Sequence, residues 1–292
     1  MMFRVGIIGG RGQLGRYLVR ELSKSGTAEA LAFDHSQLDV TDRESIETVL
    51  ASQPMDVVIN TAAYHAADSE EKVRESFLVN AVGPRYLAAA CAARGVDFVH
   101  ISTDYVFSGR ARRPYVETSR PEPLSIYGIS KLAGELAVRH TSERHYVVRV
   151  AGLYGVGGCR AKRDKNFVEV ILEKASHGDV IKVVRDQVCS PTYALDAART
   201  ITQLIATGKY GVYHVTNQGS CSWYDFAREI IRLSGRDAEC LPIATNDEAS
   251  TIRRPRNTAL DNRNLRRIGL PEPRHWRDAL CAYLEERELA RG

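Results

Sequence analysis

The sequence predicts a doubly wound α/β fold, and three observations carry that expectation. Short continuous apolar runs recur through the first half of the chain, longer amphipathic stretches separate them, and a glycine-rich turn joins the first run to the first amphipathic stretch. Apolar runs of this length suit strands buried on both faces of a parallel sheet. Strand, helix and strand at this spacing make a repeating βαβ pattern.

Taken in order, strands are expected at Phe3–Ile8 (FRVGII), Ala30–Phe33 (ALAF), Asp56–Asn60 (DVVIN), Phe98–Ser102 (FVHIS) and Tyr146–Val150 (YVVRV). Amphipathic helices are expected near Gln13–Ser25, Arg43–Gln53 and Glu75–Arg94. Past residue 150 the pattern loosens. Glycines cluster at Gly152–Gly158, short strands are expected at Val180–Val184 and Val212–Val215, and helices at Trp223–Leu233 and Trp276–Arg287. Prolines and arginines crowd Ile252–Arg256. The expected organisation is a Rossmann-like dinucleotide-binding domain over residues 1–150, to which later segments can return, and a smaller α/β substrate-binding domain over residues 151–292.

Composition narrows the function. The chain has 292 residues, enough for a large buried core, with 44% hydrophobic and 26% charged residues, as in an ordinary globular protein. Its 40 basic and 36 acidic residues are spread evenly and leave a net charge of only +4, which argues against a nucleic-acid partner. The densest basic run, Cys159–Lys165, reads as a solvated loop ahead of an anion-binding patch. Six scattered cysteines without a C-x-x-C form neither a disulfide framework nor a zinc site, and reduced thiols point to the cytoplasm. No apolar run is long enough for a signal-peptide core or a membrane span, so no membrane partner is expected.

The turn after the first strand reads Gly9-x-x-Gly12-x-x-Gly15, with Arg11, Gln13 and Leu14 between the glycines. A tight turn, a close backbone approach to a pyrophosphate and helix packing on a strand all demand glycine. The helix that follows offers unpaired N–H groups to phosphate. Asp34, at the end of the second strand, is placed to bond the adenosine ribose, which favours NAD. Arg11 is equally suited to a 2′-phosphate. NADPH is the leaning and NADH stays open. Asp39, followed by Val40, lies on the next loop and is either an adenine contact or a contribution to the helix cap near Thr41–Asp42. The third strand ends in NTAAY, so Ala62, Ala63 and Tyr64 leave room for a flat cofactor in the crevice there, and the fourth strand ends in Ser102, Thr103 and Asp104 beside it.

The stretch LSIYGISK sets Tyr127 four residues before Lys131. Such pairs are common on helices, so the pair alone decides nothing. The set GGRGQLG, LDVTD, NTAAY, STDYVFSG, YGISKLAGE, NFV and DQVCSPT, however, resembles the extended short-chain dehydrogenase/reductase superfamily. Within it the chain most resembles the dTDP-4-dehydrorhamnose reductase family, from Val5 to about Leu284. The resemblance implies NAD(P)H-dependent reduction of the 4-keto group of a nucleotide-linked 6-deoxy sugar. Tyr127 would donate the proton, Lys131 would lower the tyrosine pKa and reach the nicotinamide ribose, Thr103 would bond the substrate oxygen and Asp104 the sugar. A homodimer is implied in the same way. Asn80 is either a cofactor-loop anchor or a buried amide satisfying backbone; Ser102 contacts the cofactor or only closes the strand end. Asn166 is a substrate contact or a helix start, and Arg254 binds the diphosphate or is a surface arginine. His100 and His214 read as core histidines. The chain departs from the family at Gly152, where a tryptophan is usual, which bears on which sugar is taken. Rival readings are a reductase or epimerase on another nucleotide sugar, and a non-catalytic NADP-binding regulatory subunit.

Overall fold

The computed structural model describes residues 3–24, 26, 28–157, 165–246 and 252–290. Gly158 and the part of the basic run from Cys159 to Asp164 lie outside them. The first half alternates as β1 (Phe3–Ile8), α1 (Gln13–Lys24), β2 (Ala28–Phe33), α2 (Arg43–Ser52), β3 (Val57–Asn60), the short α3 (Ala66–Ser69) and α4 (Val73–Phe77), α5 (Gly83–Ala92), β4 (Asp97–Thr103), α6 (Ile126–Thr141) and β5 (His145–Val150). The second half adds β6 (Leu153–Tyr154), α7 (Phe167–Ser176), β7 (Ile181–Val184), β8 (Val188–Cys189), β9 (Thr192–Tyr193), α8 (Ala194–Ile205), β10 (Gly211–His214), β11 (Cys221–Ser222), α9 (Trp223–Leu233), β12 (Cys240–Ile243), α10 (Arg263–Arg267) and α11 (Trp276–Leu289).

Six strands form one sheet in the order β10-β5-β4-β3-β1-β2, and every pairing in it is parallel. The buried runs are Val- and Ile-rich because helices cover both faces. From β1 the chain steps outward to β2 and then crosses back to β3. The connections therefore part between β1 and β3, and a crevice opens beyond their carboxyl ends.

Two expectations are refined by the coordinates. The strand at Val212–Val215 does not stay with the second half; as β10 it extends the main sheet alongside β5. The helix expected at Glu75–Arg94 is interrupted by a π turn at Leu78–Val82. Pro84 explains the break, since it has no N–H to give the carbonyl of Asn80 and its ring crowds that carbonyl. The largest core cluster runs through both halves, from Val5 and Leu18 to Phe226 and Tyr283. Among the described residues no helix is long and apolar enough to cross a membrane.

Candidate active site

The glycine turn lies at the parting of β1 and β3. Gly9 has φ +78°, and a Cβ on it would come within 2.7 Å of the Thr61 hydroxyl oxygen. That hydroxyl donates to the carbonyl of Ile8 at 2.8 Å and ties the turn to the end of β3. The N–H of Gly12 donates to the carbonyl of Gly9 at 2.8 Å. A Cβ at Gly15 would overlap the carbonyl oxygen of Gly9, so only glycine lets α1 pack this closely under the turn. Leu14 is buried below it, and the Gln13 amide donates to the carbonyl of Gly155 at 3.2 Å. A backbone cradle that side chains would fill, at the start of a 12-residue helix, fits the pyrophosphate of a dinucleotide.

Arg11 and Asp34, which the sequence sets against each other, form a pair at 3.0 Å. The carboxylate of Asp34 also accepts the hydroxyl of Ser36 at 2.6 Å. That bond leads in holding its pKa below the ordinary aspartate range, against burial and with Arg11 assisting. Asp39 accepts the N–H and the hydroxyl of Thr41, both at 2.8 Å, while Asp42 accepts the N–H of Glu44 and caps α2. Asp39 thus shapes the turn into the cap. Val40 is buried, with its carbonyl against Gly83.

Ala62, Ala63 and Tyr64 follow β3 as half-buried loop. Asn80 grips that loop from the π turn: its side-chain oxygen accepts the N–H of Tyr64 at 2.8 Å and its amide nitrogen donates to the Tyr64 carbonyl at 2.9 Å. The same nitrogen donates to the hydroxyl of Ser130 at 3.0 Å, and Ser130 donates to the carbonyl of Tyr127 at 2.9 Å. Asn80 is therefore both a satisfied buried amide and a loop anchor, and it links the cofactor crevice to α6.

The start of α6 is fixed from three sides. Ser125 caps it by accepting the N–H of Gly128 at 3.2 Å, and Glu70 accepts the N–H of Ile126 at 2.8 Å. Gly128 lies so close to the carbonyl of Tyr105 that a Cβ would overlap it. Tyr127 is consequently held edge-on to the Tyr105 ring, with centroids 5.7 Å apart. One turn later Lys131 is buried against β4, where its ammonium donates to the carbonyl of Ile101 at 2.6 Å and lies 3.5 Å from Nε2 of His100. Burial lowers its pKa to about 8, with Glu135 acting in opposition.

Beside this pair β4 ends in Thr103 and Asp104, both buried. The Thr103 hydroxyl donates to Asp104 at 3.0 Å and accepts the N–H of Tyr105 at 3.2 Å. Burial pushes the Asp104 carboxyl up to about 6, against hydrogen bonds from Thr258 and Thr103. Ser102 faces the other way: its hydroxyl donates to Glu135 at 2.5 Å, and Arg149 grips the same carboxylate at 2.9 and 2.6 Å. The Ser102 hydroxyl thus ties β4 to α6 rather than closing the strand end.

Arg254 is exposed and near enough to Tyr105 to draw its phenol pKa down, although burial, the larger effect, holds it up at about 12. Asn166 behaves as a helix start. Its side chain accepts the N–H of Glu169 at 3.1 Å and donates to the carbonyl of Gly155 and to the Tyr283 hydroxyl, so its hydrogen bonds stay inside the chain. Phe167 packs on Trp223 with centroids 4.6 Å apart. Gly152 has φ +51°, and a Cβ there would be 3.5 Å from the Trp223 ring and 3.6 Å from the sulfur of Cys189.

A model of the RmlD substrate binding domain matches residues 3–289. The chain is 36% identical to a dTDP-4-dehydrorhamnose reductase of Aggregatibacter actinomycetemcomitans, over 96% of this chain and 97% of that one. It belongs to the dTDP-4-dehydrorhamnose reductase family. It is also 37% identical to the spore coat polysaccharide biosynthesis protein SpsK of Bacillus subtilis, over 99% of both chains. Among solved structures, a dTDP-4-dehydrorhamnose reductase from Bacillus anthracis in complex with NADP superposes with a TM-score of 0.93 at 35% identity, covering 98% of this chain and all of that one. A UDP-glucose 4-epimerase from Thermotoga maritima, at 20% identity and a TM-score of 0.84, shares the fold.

Sequence reasoning passed over Thr61, Glu70, Ser130 and the Glu135–Arg149 pair. Only the last left a signal: an arginine inside a buried strand, YVVRV, requires a partner, and α6 carries a glutamate on its inner face.

Proposed function

We propose that this protein is an oxidoreductase that uses NADPH to reduce the 4-keto group of a dTDP-linked 6-deoxy sugar, dTDP-4-dehydrorhamnose in the first place. Family membership supports the reaction class, and the observation that carries the site is the placement of Tyr127 and buried Lys131 on one face of α6, against the end of β4 that bears Thr103. The glycine cradle, the Arg11–Asp34 pair and the Asn80-anchored loop hold the cofactor, which when bound supplies the hydride for the carbonyl carbon. Tyr127 donates the proton to the carbonyl oxygen. A phenol with a pKa of about 10 is a slow acid near neutrality, and the neighbouring ammonium of Lys131 stabilises the phenolate that remains. Thr103 donates a hydrogen bond to the same oxygen, Asp104 contacts a sugar hydroxyl, and Arg254 faces the diphosphate. Asn166 supports the sugar end from a distance by fixing the start of α7.

The chain from residue 151 on supplies the sugar end of the site. A homodimer is the expected assembly, supported by Ile129 and Leu136, apolar, exposed and seven residues apart on α6. The described cysteines are all free thiols, which supports a reducing compartment, the cytoplasm.

The test is oxidation of NADPH and NADH, followed at 340 nm with enzymatically generated dTDP-4-keto-6-deoxy sugar. Wild type turns over with NADPH, and Tyr127→Phe loses turnover while still binding the cofactor. Full activity in the variant refutes the mechanism. Tight cofactor binding without turnover in wild type moves the assignment to the regulatory reading.

A further inference from the structure

His100 lies in the middle of a strand that reads as pure core, yet it is the side chain from β4 that meets the ammonium of Lys131. Both residues are buried, at 0% and 1% exposure. The approach is built: a Cβ at Gly134 would stand 3.2 Å from His100 Nε2 and would overlap the carbonyl of Asn80, so glycine at this position brings α6, the π turn and His100 together. An ammonium has three N–H groups and no acceptor. One goes to the carbonyl of Ile101 at 2.6 Å, and His100 Nε2, at 3.5 Å, is placed to take a second.

We propose that His100 is a positioning residue for the reduction, a neutral imidazole that holds the ammonium of Lys131 against the end of β4 and leaves its remaining N–H for the reacting side of the crevice. The inference rests on the catalytic reading of Lys131. The imidazole is neutral because burial, with Lys131 adding to it, lowers its pKa well below the usual histidine range. Accepting at Nε2 then puts its proton on Nδ1, and Nδ1 has no partner among the described residues. A buried polar atom without a partner disfavours the folded state. Leucine in this apolar strand would avoid that cost, so the ring is explained by its other nitrogen rather than by packing. Glu135, from its own helix, acts electrostatically on Lys131 and raises its pKa, and the ammonium in turn lowers that of His100. Glu135 is already gripped by Arg149 of β5 and by the hydroxyl of Ser102, which leaves the Ile101 carbonyl and His100 as the uncharged acceptors on the strand side. Without it a buried ammonium has fewer acceptors, its proton is lost at lower pH, and Tyr127 loses the charge beside it earlier.

The experiment compares wild type, His100→Leu, His100→Gln and Lys131→Met in melting temperature and in kcat against pH from 6 to 10. His100→Leu, which removes both an unpartnered nitrogen and an acceptor of a buried ammonium, is expected to melt within a few degrees of wild type, to lose roughly tenfold in kcat, and to show the alkaline fall of kcat about one pH unit lower. His100→Gln, whose amide oxygen reaches the same place, is expected to restore the wild-type limb. A His100→Leu enzyme with the wild-type pH profile overturns the inference, as does a glutamine variant no better than leucine. Lys131→Met separates the two readings: wild-type activity there sinks the catalytic assignment, whereas its loss together with an unshifted His100→Leu profile sinks only the role of His100.

Discussion

Arg11 is 77% exposed on its side chain and held by one carboxylate, Asp34, whose other bonds come from Ser36 and the backbone of Gln37. A guanidinium so loosely tied can turn to a 2′-phosphate without uncovering a buried charge, and the bidentate geometry it offers suits that group. Arg11→Ala should therefore weaken NADPH more than NADH, by about tenfold in the ratio of kcat/KM values, with little change in melting temperature. Equal losses for both cofactors would show that Arg11 does not read the phosphate. The sequence set Arg11 and Asp34 side by side as opposing signals, since a short-range pair between a loop and a strand end leaves no periodic pattern; only the coordinates show them as one unit.

At the scale of elements, the π turn at Leu78–Val82 governs the site more than its size suggests. It places Asn80 where one amide closes both backbone groups of Tyr64 and reaches Ser130 on α6. Asn80→Ala strips those partners from a half-buried loop, at about 1–3 kcal/mol for each group left unpaired. The expected result is a KM for NADPH raised at least several-fold and a lower melting temperature; an unchanged KM would mean that the loop holds itself. The strands of the main sheet and α1 were legible because burial on both sides and helical periodicity write themselves into sequence, whereas Tyr127 and Lys131 on α6 stood out only through the family resemblance. The π turn was not, because its cause is one proline read against the helix before it. Nor were β6, β8, β9 and β11, two residues each and too short to carry a period.

Across the whole molecule, α11 closes back onto α1. Glu286 accepts hydrogen bonds from Tyr17, at 2.6 Å, and from Arg20 and Tyr193. Burial pushes its pKa up, but the bonds from Tyr17, Tyr193 and Arg20 outweigh it and leave the carboxyl below the usual glutamate range. A carboxyl with a lowered folded pKa stabilises the fold above its unfolded pKa, and that stabilisation is lost as the pH falls through the folded value. Glu286→Gln should then melt several degrees below wild type at pH 7, and the gap should shrink as the pH is lowered toward 4. A gap that does not change with pH would assign the effect to packing instead.

That closure also sets an order of events as the chain emerges from the ribosome. The glycine turn is made by residues 9–15, but the helix that supports it is secured by a carboxylate at residue 286, and its sheet gains its last strand only at Gly211–His214. The nascent chain carries its glycine turn through more than 270 further residues before the carboxylate that braces it exists. The glycine turn is translated well before the groups that finish its surroundings.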